Sequence, residues 1–302
     1  MPCVHWGTIG TVKSRKRYDI PMPGGARLEL GDRTLVMAIL NITPDSFAGG
    51  GARMEPARAV DDALRMVEQG ADILDVGGES TRPGAEPVSA DEELRRVLPV
   101  LDGLAGRARV PISIDTYKAR VAEAALDRGA SIVNDVSGLL YEPELGRVAA
   151  RRGAALVLMH HRGRSSDMYR EAVYGDVAGD VAAELSARID AALAAGVARD
   201  RIVIDPGLGF AKRPEHTYGA LANLDRLAAL DRPILVGASR KSFLREAIGD
   251  RPAAERLWAT AAAVTAAVLN GAHIVRVHDV EEMIDVVRTA DRILGAQGAQ
   301  AP

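Results

Sequence analysis

The chain has almost no cysteine: Cys3 is the only one in 302 residues. No internal disulfide can form, and a reducing compartment fits. Long apolar runs are missing too. None approaches the roughly 20 residues that a transmembrane helix needs. A surplus of one charge sign is missing too, because the formal net charge is −3. That excludes bulk attraction to nucleic acid or to an anionic membrane. Lys13, Arg15, Lys16 and Arg17 lie near the N-terminus with no apolar stretch behind them, which argues against a signal peptide. A cytoplasmic protein without membrane or nucleic-acid partners is expected. Aromatic residues make up 4%, and only three are Phe.

What is present is a repeat of short apolar runs. They are Leu35–Leu40, Ile73–Val76, Val110–Ile114, Ser131–Val133, Ala154–Met159, Ile202–Ile204, Ile234–Val236 and Ile274–Val275. Each leads into polar residues: Asn41, Glu79, Asp115, Asn134, His160, Asp205, Ser239 to Lys241, and Arg276 with His278. A helix-like stretch follows nearly every one. Continuous apolar strands are those covered on both faces, as in parallel sheets. Eight strand–helix units predict the α/β class and a (β/α)8 barrel, a fold of about 250 residues. Its C-terminal strand ends form the active-site face. An open doubly wound sheet is the rival. It would place a glycine-rich dinucleotide turn after its first strand, where this chain has Asn41-Ile42-Thr43-Pro44-Asp45. Walker A and HExxH patterns are also absent.

The expected organisation is an N-terminal extension over 1–33, the barrel over 34–295, and an unstructured tail over 296–302. Pro21, Pro23, Gly24 and Gly25 mark a turn between two extended segments, so the extension is read as a hairpin closing the barrel bottom. Helices are expected over Ala57–Gln69, stopped by Gly70, and through Leu101 after the Ser89 and Glu92 capping-box pair. Another is expected over Val177–Ala195. Leu257–Leu269 (LWATAAAVTAAVL) is apolar on almost every face. Such a helix is covered on more than one side, which predicts a subunit interface and a homodimer.

Taken singly, the polar residues have ordinary explanations. Asp115 and Asp205 suit helix N-caps. Asn134 suits a turn. Arg240 and Lys241 suit a solvated helix start, and Gly49-Gly50-Gly51 a flexible loop. His160 and His161 point apart on an extended segment, so surface or supporting roles are expected rather than one shared metal. His273 is read as structural, at the buried start of the last strand.

The motifs in order change that weighting. They are Asn41-Ile42-Thr43-Pro44-Asp45-Ser46-Phe47, Gly77-Gly78-Glu79-Ser80-Thr81-Arg82-Pro83-Gly84, Ser113-Ile114-Asp115-Thr116-Tyr117-Lys118 and Val133-Asn134-Asp135-Val136. Asp205-Pro206-Gly207-Leu208-Gly209-Phe210, Ser239-Arg240-Lys241-Ser242-Phe243 and Arg276-Val277-His278-Asp279-Val280 follow. Together, over about residues 35–293, they resemble the dihydropteroate synthase family. The resemblance implies condensation of a hydroxymethyl-dihydropterin pyrophosphate with p-aminobenzoate, giving 7,8-dihydropteroate and pyrophosphate in folate synthesis. It implies a pterin pocket from Asp115, Asn134, Asp205 and Lys241, walled by Met159 and Val136, with Gly209 in the substrate-binding loop. Pyrophosphate contacts fall to Asn41, Arg276 and His278, with Mg²⁺ on Asn41. Thr81 and Arg82 stand on a loop near the phosphates. Phe47, Pro83, Phe210, Lys241 and Ser242 surround p-aminobenzoate. Asn41, Lys241, Arg276 and His278 are the catalytic candidates.

Residue chemistry agrees. A pterin edge offers neighbouring donors and acceptors, and two carboxylates with an amide match it. Arg276, His278 and a metal ion suit the charge that develops as the C–O bond to pyrophosphate breaks. An SN1-like path follows, because the electron-rich pterin delocalises the cationic methylene. All three Phe (Phe47, Phe210 and Phe243) fall just after strands, where flat substrates favour them. Three departures from the family pattern are Gly49, where an acidic residue is usual, Met159-His160-His161-Arg162-Gly163, where Met-His-Met-Gln-Gly is frequent, and Thr217-Tyr218, where Asn-Leu is frequent. The competing functions are a non-catalytic pterin-binding paralogue, which needs no pyrophosphate groups, and a pterin-dependent methyltransferase, which has no use for Arg276 with His278.

Overall fold

A computed structural model describes residues 15–43, 56–80, 86–164, 169–170 and 172–298. A short hairpin comes first. Strand β1 (Tyr18–Pro21) pairs antiparallel with β2 (Arg27–Leu30), around a turn at Pro23–Gly25. Gly24 and Gly25 take positive φ angles of 74° and 82° there, a conformation that glycine adopts without steric cost. Eight parallel strands follow: β3 (Leu35–Asn41), β4 (Ile73–Gly77), β5 (Ile112–Asp115), β6 (Ile132–Asp135), β7 (Ala155–Met159), β8 (Ile202–Asp205), β9 (Leu235–Val236) and β10 (Ile274–Val277). Their spatial order is β8-β7-β6-β5-β4-β3-β10-β9. A parallel bridge between Ile204 and Ile234 joins the two ends, and Ile204 N donates to Pro233 O at 3.0 Å. The expected (β/α)8 barrel with its N-terminal hairpin is the observed architecture.

Strand parity explains why the runs are apolar on both faces. Alternate residues point to opposite sides. Val36, Ala38, Leu74, Val76, Ile114 and Val133 pack outward with helix residues in one large core. Leu35, Met37, Ile73, Ile132, Val157, Val203, Leu235 and Ile274 form a separate inner cluster. Ile20, Met22, Leu28 and Leu30 of the hairpin belong to that inner cluster, so the hairpin plugs the barrel bottom. His273 ties the plug in: its Nδ1 accepts from Ile234 N at 3.1 Å, and its Nε2 faces Lys16 O at 3.0 Å. Burial lowers its pKa to about 4, which suits the expected structural role.

The helices on the outside are α1 (Pro56–Glu68), α2 (Ala90–Leu104), α3 (Ala119–Leu126), α4 (Glu144–Arg152), α5 (Val177–Ala194), α6 (Pro214–Ala222), the short α7 (Arg245–Ile248), α8 (Leu257–Leu269) and α9 (Val280–Gly298). Gly70, at φ 108°, ends the first turn-out after α1. Ser89 Oγ caps α2 by accepting from Glu92 N at 3.2 Å, an interaction worth about 1 kcal/mol. The Glu92 carboxylate turns to Arg95 and Arg96 rather than back to the cap. Helix α9 continues past residue 295, where the tail was expected to begin. Helix α8 buries Thr260, Ala263, Val264, Ala267 and Val268 and leaves Trp258 79% exposed. Among the described residues no helix is long and apolar enough to cross a membrane.

Candidate active site

Counting in twos up each strand from the inner apolar cluster reaches a polar layer. Asp75, Ser113, Asp115, Asn134, Asp205 and Arg276 occupy those inward positions, and all but Arg276 are buried. The N-cap explanation fails for both carboxylates near the mouth. Helix α3 is preceded by Lys118 and α6 by Arg213, neither with a side-chain cap bond. Asp205 Oδ1 instead accepts from Gly207 N at 2.7 Å. Asp115 Oδ2 accepts from Arg276 Nη2 at 2.7 Å, and its Oδ1 is buried without a partner.

Asp75 was not among the expected site residues. Its Oδ2 accepts from Arg276 Nε at 2.6 Å and from Asn134 Nδ2 at 3.0 Å. One carboxylate in mid-strand thus gathers two of the expected ones. Arg276 and His278, both expected at the mouth, take different partners. Arg276 reaches across to β4 and β5, while His278 Nδ1 lies 3.0 Å from Ser239 Oγ. Asp75 was hidden because its run, Ile73–Val76, reads as apolar. Its parity with Ile73 and Gly77 was the available signal.

Lys241 completes the group. Arg240 before it holds a positive φ of 58°, and its part-exposed side chain is tied down. Its guanidinium pairs with Asp279, and its backbone N donates to Thr260 Oγ1 at 3.1 Å. That anchorage aims Lys241 inward. The Lys241 ammonium donates to Leu208 O and lies 4.4 Å from the Phe210 ring centroid. Gly209, beside it, takes a positive φ of 76°, which glycine adopts without steric cost. Burial lowers the Lys241 pKa to about 8, with Asp205 opposing. Burial likewise raises Asp115 to about 7, against the pull of Arg276. Asp205 is raised for the same reason, with Lys241 opposing. Carboxylates and ammonium therefore approach one another in acidity, as groups tuned to bind a partner do.

The β8 loop is held from below by a second unexpected residue. Lys212 is 1% exposed. Its Nζ lies 2.8 Å from His160 Nδ1 and donates to Gly207 O and Phe210 O, both at 3.1 Å. His160 Nε2 is 3.2 Å from Glu184 Oε2. His161 takes the other side, edge-on to Phe210 and to Tyr141 with centroids 5.7 and 5.9 Å away. The two histidines point apart as expected, but both are buried rather than at the surface. Met159, at the end of β7, is buried beneath Gly207. Val136 is half-buried just after β6. Ser242 starts the turn after Lys241. Phe243 departs from expectation: it is buried in the core, edge-on to Tyr218 at 5.2 Å.

The loop after β4 is anchored as well. Lys118 pairs with Glu79 and donates to Glu93 Oε2 at 2.5 Å, while Tyr117 OH donates to Glu79 Oε1 at 3.0 Å. This cluster fixes the chain just before Thr81. Thr81, Arg82, Pro83 and Phe47 lie outside the described residues. Asn41 ends β3 half-buried, level with Gly77. Among the described residues no group of three or more His, Cys, Asp or Glu could hold a metal ion.

A pterin binding enzyme family model matches residues 37–278. The chain is 46% identical to a dihydropteroate synthase from Synechocystis over 274 residues, covering 90% of this chain and 95% of that one. It is 42% identical to the Escherichia coli dihydropteroate synthase, covering 87% and 92%. Among solved structures, the Xanthomonas albilineans dihydropteroate synthase with 4-aminobenzoic acid superposes with a TM-score of 0.84 at 40% identity, covering 94% of this chain and all of that one. The Burkholderia cenocepacia dihydropteroate synthase with 7,8-dihydropteroate superposes at 0.82 with 41% identity, covering 94% and 99%. A polar layer at the C-terminal mouth of a plugged parallel barrel thus coincides with full-length likeness to these proteins, and the chain belongs to the dihydropteroate synthase family of pterin binding enzymes.

Proposed function

We propose that this chain condenses 6-hydroxymethyl-7,8-dihydropterin pyrophosphate with p-aminobenzoate to form 7,8-dihydropteroate and pyrophosphate. The observation that carries the reading is the joined cluster of Asp115, Asn134, Asp205, Lys241 and Arg276 at one end of the barrel. Asp115 Oδ1, buried without a partner, supplies an acceptor for a ring N–H. Asn134 and Asp205 extend that edge, and Lys241 meets a ring acceptor. Met159, Val136 and Gly209 shape the pocket around the ring. The bond between the pterin methylene and the pyrophosphate oxygen breaks first, and its electron pair leaves with pyrophosphate. The pterin ring delocalises the cation left behind. The amine lone pair of p-aminobenzoate then forms the C–N bond, and the amine loses a proton.

Arg276 and His278 face the departing charge, with Thr81 and Arg82 on the neighbouring loop. Phe47, Pro83, Phe210 and Ser242 enclose the second substrate beside Lys241. Asn41 would hold Mg²⁺ through its amide oxygen. A single protein ligand fits this ion, which keeps several waters and otherwise binds substrate phosphates. When bound, the ion neutralises charge on the pyrophosphate. The exposed side of α8 around Trp258 forms a twofold interface with a second copy. The single cysteine and the near-neutral charge support a cytoplasmic location.

The test is to incubate the purified chain with both substrates and Mg²⁺ and to look for dihydropteroate by mass spectrometry. Product formation supports the reading. Tight pterin binding without product sinks it in favour of a non-catalytic pterin binder.

A further inference from the structure

Asp75 sits in the middle of β4 with 0% exposure. Its Oδ1 is buried without a partner, and Leu74 and Val76 on either side pack outward against the helices. Yet its Oδ2 holds Arg276 Nε at 2.6 Å and Asn134 Nδ2 at 3.0 Å. Three consequences follow from that geometry. Asn134 has one orientation, because its amide nitrogen must face Asp75; its carbonyl oxygen is turned away as an acceptor. The Arg276 guanidinium is gripped at two nitrogens, by Asp75 and by Asp115, and a planar fork held twice cannot rotate. Asp115 spends Oδ2 on Arg276 and keeps Oδ1 for a ligand.

The charges are linked as well. Burial is the main cause that raises Asp115 to about 7, and Asp75 adds to it, as do Glu93 and Asp135, while Arg276 opposes. An uncharged side chain at position 75 removes one repulsion and leaves Arg276 wholly to Asp115. Both effects make Asp115 a stronger acid.

We propose that Asp75 is a positioning residue for catalysis, acting through Arg276 and Asn134 to fix the donor and acceptor pattern that the pterin pyrophosphate meets. This rests on the dihydropteroate synthase reading above. A residue serving only stability would weaken both substrates alike on losing its charge and would leave the pH profile in place.

The experiment compares wild type with Asp75→Asn, a change of similar shape, after thermal melting has established that the variant folds. The expected results are a fall on the order of 10²-fold in kcat/KM for pterin pyrophosphate, an unmoved KM for p-aminobenzoate, and an acidic limb of the kcat/KM profile shifted to lower pH. Wild-type kcat/KM in the variant overturns the inference, as does an equal loss for both substrates with an unmoved limb. If the variant does not fold, a crystal structure of wild type with pterin pyrophosphate decides: Arg276 Nε still on Asp75 supports the inference, and Nε released from it overturns it. A wild type that makes no dihydropteroate overturns the functional reading itself, whereas an active wild type with an indifferent Asp75→Asn overturns only this inference.

Discussion

Lys212 Nζ lies 2.8 Å from His160 Nδ1, deep under the loop that carries Asp205 and Phe210. The two nitrogens share one hydrogen bond, and His160 Nε2 on the far side of the ring lies 3.2 Å from Glu184 Oε2. Burial pushes the Lys212 pKa well below its ordinary value, and the His160 pKa drops to about 4, chiefly through burial and then through Lys212. Lys212 Nζ also donates to Gly207 O and Phe210 O. The pair is a brace for the loop rather than a pair of surface charges.

Lys212→Met should therefore lose the brace without losing the apolar stem. Stranded carbonyls cost about 1–3 kcal/mol each when buried. Chemical denaturation should report a loss of at least that size, and KM for p-aminobenzoate should rise because Phe210 is no longer held. Unchanged stability would contradict the brace.

The pterin edge makes a separate prediction. Asp115→Asn or Asp205→Asn turns a carboxylate acceptor into a partial donor, and either should weaken pterin binding by about 1–3 kcal/mol. The fold should survive, because the packed inner cluster lies below. Calorimetry with a pterin ligand decides, and equal affinity in wild type and both variants would remove these carboxylates from the site.

The site's place in the fold was legible because strand ends in a barrel announce themselves: a polar residue closing an apolar run is visible without coordinates. Leu257–Leu269 was legible as one helix for a similar reason, since nothing in it interrupts the pattern. The rest depended on partners far away in sequence. Asp75 is polar inside a run, and only its inward parity marks it. Glu93 and Lys118 look like exposed helix and loop charges until the ends of β4 and β5 bring Lys118 between Glu79 and Glu93. Phe243 shares its position after a strand with Phe210, but Tyr218 draws it into the core. Strand position tells which residues are near the mouth and not which way a side chain turns beyond it.

Histidine burial gives a pH dependence of stability. The His273 pKa falls from 6.5 to about 4 on folding, mainly through desolvation, so the ring is neutral in the fold. Its contribution is complete above pH 6.5 and is lost as pH falls toward about 4, where the unfolded chain has taken up the proton and the fold has not. Asp115 and Asp135, raised to about 7 and about 6 by burial, act in the opposite direction, so wild type alone does not isolate the effect. The stability gap between wild type and His273→Gln should narrow by up to about 3 kcal/mol across that window. Denaturant melts at stepped pH measure it, and a gap independent of pH would contradict a neutral buried ring.

Binding order is a further prediction. The segments 43–52 and 81–88 are rich in Gly, Pro and small polar residues and come after the neighbouring strands β3 and β4 in the chain. Pyrophosphate with Mg²⁺ should complete the p-aminobenzoate site that Phe47 and Pro83 are expected to wall. p-Aminobenzoate should then bind much more tightly with Mg²⁺-pyrophosphate present than alone, and Phe47→Ala should damage that binding while sparing pterin affinity. Titration under both conditions decides: equal affinities would rule out the coupling.

Trp258 tests the assembly. It is 79% exposed on an apolar helix, and Trp258→Arg places a charge in the expected twofold contact. Light scattering should find wild type as a dimer at micromolar concentration and the variant as a monomer. A monomeric wild type would contradict the interface, and a variant that stays dimeric would move it to other helices.

The central claim is that this polar barrel mouth joins two substrates and expels pyrophosphate. Its most direct test is the rate of pyrophosphate release from dihydropterin pyrophosphate with Mg²⁺ as p-aminobenzoate is varied. The account predicts a rate that saturates with p-aminobenzoate, one pyrophosphate for each dihydropteroate formed, and a large loss in Arg276→Met. A folded wild-type chain that binds the pterin substrate yet releases no pyrophosphate at any p-aminobenzoate concentration would contradict it.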